Sequence, residues 1–156
     1  MSIAIYVNFQ VGSDAYITLG ITKVMNTSAA YDPEIQPNAN AWLQLDELER
    51  ISLAEKWHRL AKIDLPHVKA HAVFHAIIEN QLAMNLAPVV RAIPRLMKQG
   101  LSRHDAIHAV ASVLADHLHE QANAKTEESA AVVQARYDAE VERLNAKEWL
   151  AKHGAP

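Results

Sequence analysis

The sequence predicts an all-α fold, a small bundle of four main helices and one short kinked helix, preceded by an N-terminal extension that is a candidate β-hairpin. Half of the 156 residues are hydrophobic but only 6% are aromatic, and alanine and leucine are common, which favours helices packed through small side chains. From residue 46 onward, hydrophobic residues recur at the three- to four-residue spacing of an amphipathic helix. A chain of this length suffices for one domain with a hydrophobic core.

Residues 1–25 differ in character from the rest of the chain. IAIYVNF and AYITLGITKV are β-branched and aromatic, and the Gly12-Ser13-Asp14 sequence between them suits a turn, so the segment predicts a hairpin. The alternative is a disordered extension, with Met25 as the natural start of the protein. Residues 26–40 are rich in Asn, Ser, Pro and Asp, as linkers are. We therefore divide the chain into an extension and linker over residues 1–40 and a single helical domain over residues 41–156.

Capping residues and prolines delimit the predicted helices. Asp46 and Glu49 form a capping box, and Ser102 with Asp105 caps a later helix. Pro94 lies inside the short segment between Pro88 and Gly100 and predicts a kink or break there. Short connections favour antiparallel neighbours. The predicted main helices cover residues 46–62, 66–84 and 103–121, and a last helix runs from about residue 126 to Gly154.

Histidines are concentrated in the middle of the chain, where eight of the nine fall between residues 58 and 119. His71, His75 and Glu79 share one stripe of a helix, and His104 and His108 repeat the i, i+4 spacing on a later helix. Neutral imidazoles are good ligands for divalent zinc, iron, manganese or nickel. We predict a metal site with His71, His75, His104 and His108 as ligands, and with His58 and Glu79 as additional ligands or as partners that orient the ligands.

Two functions of different kinds are compatible with this pattern. In the first, a metal-bound water makes the protein a metal-dependent hydrolase, and Glu79 is the first candidate for a general base. In the second, the histidines are structural and the protein is an interaction or assembly module, with its C-terminal helix as the surface for a partner or a second copy. The two differ in whether the imidazoles converge on one point.

Composition argues against several other classes of function. The net charge is −3 and no run of Lys or Arg forms a basic patch, so nucleic acid is not an expected partner. The chain has no cysteine, which excludes disulfides and thiolate ligands from it. It contains neither an uninterrupted apolar stretch of about 18 residues nor a secretory signal, so we expect a cytoplasmic protein with no membrane contact.

Three segments carry a resemblance to a known family. WLQLDELERISLAEKWH, HAVFHAIIENQLA and GLSRHDAIHAVASVL, with a proline-containing spacer before the third, resemble a family of small bacterial helical proteins grouped as a domain of unknown function. The resemblance covers about residues 32–116 and carries no assigned activity. It implies a shared polar signature that consists of Asp46, Glu47, Glu49, Arg50, His58, His71, His75, Glu79, Asn80, Gln81, Arg103, His104 and His108.

Overall fold

The computed structural model describes residues 30–126 and 128–154, and this part of the chain confirms the predicted all-α class. It contains seven helices and no strand. The helices are α1 (Ala39–Gln44), α2 (Glu47–Leu60), α3 (Val68–Ala83), α4 (Ala87–Lys98), α5 (Arg103–Asn123), α6 (Ala130–Arg143) and α7 (Ala146–His153). The predicted hairpin lies outside the described residues.

The predicted caps are confirmed. The Asp46 carboxylate accepts from the backbone N–H of Glu49 at 2.8 Å, and the Glu49 carboxylate accepts from the backbone N–H of Asp46 at 3.0 Å. Ser102 Oγ accepts from the backbone N–H of Asp105 at 3.0 Å. Gly100 has a φ of +107°, which ends the turn after α4 in a conformation that suits glycine. Local sequence signals thus fix where α2 and α5 begin.

Three elements differ from the prediction. Helix α1 was not predicted: it begins in the last two residues of the predicted linker and ends before the first predicted helix, and the Asn38 side chain caps its first turn. The single predicted C-terminal helix is divided into α6 and α7, because the Asn145 side chain accepts from the N–H groups of Lys147 and Glu148 and so begins a new helix. Helix α4 continues through Pro94, so the break predicted there does not occur, and a kink at Pro94 stays a prediction.

Helix α3 lies at the centre of the bundle, in contact with α1, α2, α4 and α5. Its Ala72 and Ala76 are buried against the side of the fold that contains Ala54 of α2, and these methyl side chains let the two helices approach closely. Its Ile78 and Leu82 belong to the larger hydrophobic core, which α4 to α7 complete. The histidine-bearing face of α3 is thereby held between α2 and α5.

The C-terminal helices complete the larger core. Val133, Tyr137 and Val141 of α6 are buried against α4 and α5, and Ala146 at the start of α7 is buried as well. Val132 and Leu150 remain exposed. Assembly through the C-terminal region stays a prediction.

We expect Leu114→Ala in α5 to destabilise the fold by about 3 kcal/mol, because it leaves a cavity at a fully buried position of the larger core. Urea unfolding followed by circular dichroism measures the change. The matched control is Leu48→Ala, since Leu48 is 75% exposed, and we expect it to change the free energy of unfolding by less than about 0.5 kcal/mol. Equal effects of the two substitutions would contradict the core described above.

Candidate metal centre

Five imidazoles from three helices converge on one point. One ligand nitrogen from each lies within 4.8 Å of all the others. They include all four histidines predicted as ligands, and they also include His58, which was predicted as either a ligand or an orienting partner. The five are His58 of α2, His71 and His75 of α3, and His104 and His108 of α5. We refer to them as the histidine cluster.

The contacts within the cluster are between Nε2 atoms. Those of His71, His75 and His108 form a nearly equilateral triangle, with edges of 3.1, 3.0 and 3.0 Å. The Nε2 atom of His58 lies 3.1 Å from that of His71, and the Nε2 atom of His104 lies 3.3 Å from that of His58. All five rings therefore present the same nitrogen to a shared centre, which is the arrangement that a common cation requires.

Helix geometry and packing produce this convergence. The i, i+4 spacing stacks His71 above His75 and His104 above His108 on adjacent turns. His58 lies in the last turn of α2, next to the small residues through which α2 contacts α3. The ring of Trp57 meets the rings of His58 and His104 edge to face, with centroids 4.9 and 5.0 Å apart, and so closes one side of the cluster.

Hydrogen bonds fix the tautomer of two of the five rings. Nδ1 of His58 lies 2.7 Å from the carbonyl oxygen of Ala54, which has no proton to give, so Nδ1 carries the hydrogen. Nδ1 of His75 lies 3.0 Å from the hydroxyl of Tyr31, which itself donates to Glu79 Oε1 at 3.0 Å. The tyrosine oxygen therefore accepts from His75. In both neutral rings the Nε2 lone pair points into the cluster, as metal binding demands.

Burial keeps the cluster neutral. His58 and His75 are fully buried and the other three are partly buried. Desolvation, followed by repulsion from neighbouring imidazoles, lowers the pKa of His71 to about 4 and that of His108 to about 3. Desolvation also lowers the pKa of His58, His75 and His104. At neutral pH the five rings are therefore neutral, and each has one nitrogen lone pair available to a metal ion.

Glu79 lies beside the cluster, and its carboxylate is not among the five converging ligands. Arg103 forms a paired contact with it, at 2.7 Å to Oε1 and 2.8 Å to Oε2, and both side chains are at most 5% exposed. Tyr31 connects this ion pair to His75. Burial and the charge of Glu79 raise the pKa of Tyr31, so its hydroxyl keeps its proton. Of the two structural roles predicted for Glu79, its contacts match that of an orienting partner.

Tyr31 is the residue that sequence reasoning missed. It was placed in a linker, yet its side chain is only 7% exposed and it belongs to the smaller core with Trp42. Arg103 ties the same segment down through the carbonyl oxygen of Pro33 at 2.7 Å, and its backbone N–H donates to Glu34 at 3.1 Å. The available signal was an aromatic residue among polar ones, which does not indicate a hydrogen bond to a histidine 44 positions away.

Other polar residues of the signature have structural contacts. Asn80 accepts from the indole N–H of Trp42 and from the guanidinium of Arg50, both at 2.9 Å. Gln81 accepts from the buried hydroxyl of Tyr137 at 2.8 Å. Histidines outside the cluster behave differently from its members, since His117 pairs with Glu140 while His67 and His119 are exposed.

Comparisons with known proteins do not indicate a function, so the functional argument depends on the histidine cluster. No protein-family model matches the chain, and no curated protein or solved structure matches it significantly. The resemblance to a domain of unknown function therefore stays a prediction. Within residues 30–126 and 128–154, no helix has the length and apolar character needed to cross a membrane.

Acidification should destabilise the metal-free protein between about pH 7 and pH 5, before most carboxylates titrate. The unfolded histidines take up protons near their ordinary pKa of about 6.5, whereas the folded cluster stays neutral to lower pH. The unfolded state thus binds more protons, so this stability is fully present above pH 6.5 and is lost as the pH falls toward the folded pKa values.

Urea midpoints measured in chelator at several pH values test this dependence. We expect His71→Ala to reduce the slope of stability against pH, because it removes one of the buried neutral groups. His119→Ala is the control, since it removes an exposed histidine that lies outside the cluster. A wild-type midpoint that stays constant from pH 7 to pH 5 would contradict the pKa shifts.

Proposed function

We propose that this protein binds one divalent transition-metal ion through the five imidazoles of the histidine cluster. The observation that carries the proposal is the convergence of the five Nε2 atoms, two of which are held as lone-pair donors by hydrogen bonds at Nδ1. Lone pairs directed at one another need a cation or a proton between them. Because burial opposes protonation, a metal ion satisfies the cluster better.

The spacing of the nitrogens favours an octahedral ion over a tetrahedral one. Tetrahedral zinc, with Zn–N bonds of about 2.0–2.1 Å, separates its nitrogens by about 3.4 Å. An octahedral ion with bonds of about 2.1–2.2 Å separates neighbouring nitrogens by about 3.0 Å. The triangle of His71, His75 and His108 has edges of 3.0–3.1 Å, which match one octahedral face.

The donor set narrows the choice of ion further. Imidazole suits iron, nickel, copper and zinc, whereas manganese and magnesium prefer oxygen ligands. Five nitrogens also exceed the coordination number of an ordinary zinc site. Of the four ions predicted from the sequence, we therefore place iron(II) and nickel(II) before zinc and manganese.

Hydrolysis through a metal-bound water is the reaction that we propose for such a centre. Five neutral donors would leave the ion its full double charge, which would lower the pKa of a water molecule bound in the one remaining position. The catalytic role of Glu79 as a general base stays a prediction, since both of its oxygens accept from Arg103. The alternative of an assembly module with structural histidines is less well supported, because such histidines need not face one another.

Metal analysis of the purified, untagged protein tests the proposal. We expect close to one ion of iron or nickel per chain after reconstitution, and loss of that ion in the His71→Ala/His108→Ala double variant. The matched control is His67→Ala/His119→Ala, which removes two exposed imidazoles and should keep the metal. A wild-type protein that holds no ion after reconstitution would overturn the proposal.

Tyr31→Phe should weaken metal binding about 10- to 100-fold, because it removes the acceptor that fixes the orientation of His75. Competition with a chromophoric chelator measures the affinity. Tyr137→Phe is the control, since it removes an equally buried hydroxyl whose partner is Gln81, away from the cluster. Wild-type affinity in Tyr31→Phe would show that the Tyr31 hydroxyl does not support the centre.

A further inference from the structure

The geometry of the cluster points to a specific ligand class, an inference that rests on the proposed metal centre. An octahedral ion has six positions, and the histidine cluster supplies five nitrogens. Within the described part of the chain, no carboxylate joins this group of ligand atoms. One position is therefore left for a ligand from outside the protein.

The net charge of the metal ion and its protein donors determines which class of ligand suits this position. All five protein donors are imidazoles, which bind a metal ion in their neutral form, so a divalent ion in this centre would keep two uncompensated positive charges in a partly buried site. The nearest buried carboxylate, Glu79, already forms an ion pair with Arg103 and cannot offset them without breaking that pair. An uncompensated buried charge is costly, and an anion bound directly to the metal removes part of this cost.

The acidic residues around the cluster do not supply such an anion. Asp32, Glu34 and Asp105 act on His104 only through their electric field, and among the described residues none of them bonds to an imidazole of the cluster. Asp32 accepts from the backbone N–H of Glu34, and Glu34 accepts from that of Arg103. The carboxylates of Asp32 and Glu34 thus form the hydrogen bonds that hold the chain segment before α1.

Packing of the rings limits the size of the ligand. The imidazole centroids of the cluster lie 4.2 to 5.3 Å apart, which leaves little room around the centre. His58 and His75 are fully buried, whereas His71, His104 and His108 are partly exposed. A ligand from solution would therefore have to pass these three rings, so it must be small.

We propose that the sixth position of the metal ion binds a small, singly charged anion from solution. The bond forms between the anion and the ion by displacement of a water molecule, and no electron transfer is involved. The positive charge of the ion and its neutral donors favour an anion over a neutral molecule of the same size. An anion in this position takes the place of the water that the proposed hydrolysis uses, so we expect it to inhibit that reaction.

Titration of the metal-loaded protein with sodium azide tests this proposal. The metal content is measured first, and nickel(II) or cobalt(II) provides the absorption spectrum. We expect one azide to bind per ion and to shift the metal absorption bands. Acetonitrile, a neutral ligand of similar size, should bind at least about tenfold more weakly than azide. Sodium perchlorate at equal ionic strength is the control for salt effects.

The possible outcomes distinguish the sixth-position proposal from the proposed metal site. A protein that holds one ion but shows no spectral change with azide up to about 100 mM would overturn the sixth-position proposal and leave metal binding intact. Equal affinity for azide and acetonitrile would overturn the preference for anions. A protein that binds no metal would overturn both. In His104→Ala, which removes one donor, we expect a second azide to bind per ion.

Discussion

The structure depends on the enclosure of five imidazoles in one small volume. Each ring loses hydration when it is buried, and each places a nitrogen lone pair near four others. The five rings lie where α2, α3 and α5 come together. A change in the packing of these helices therefore also changes the distances between the imidazoles. A cation at the centre would attract all five nitrogens, and the fold and the ion would then stabilise each other.

The ion pair of Glu79 and Arg103 is the main support for this arrangement. It joins α3 to the start of α5, and it fastens the segment that leads into α1 through the carbonyl oxygen of Pro33. Through Tyr31 it also sets which nitrogen of His75 carries hydrogen. One buried charge pair thereby positions two histidine-bearing helices and fixes the tautomer of one histidine of the cluster.

The two hydrophobic cores support the histidine cluster in different ways. The smaller core contains Tyr31, Trp42 and the alanines between α2 and α3, and it controls how closely His58 approaches His71. The larger core, from α3 to α7, anchors the other side of α5 and so holds His104 and His108 in place. Because α6 and α7 pack in the larger core, they contribute to the rigidity of the histidine cluster without contacting it.

Local sequence determined the helices and the histidine pairs. Capping at Asp46 and Ser102 and the i, i+4 spacing on α3 and α5 act within a few residues, so the chain near each site contains the necessary information. The same reasoning missed the break at Asn145, where a side chain competes with the helix for backbone N–H groups, a competition that hydrophobic periodicity does not record.

Only the tertiary structure decided how the centre is completed. The sequence placed His58 and Glu79 in either of two roles, because the choice depends on the distance between helices rather than on spacing along them. Packing put the ring of His58 into the cluster and turned Glu79 toward Arg103. Tyr31 lies 44 residues before His75, and no local pattern links two positions so far apart. Contacts of that kind arise only when the whole bundle closes around the histidines.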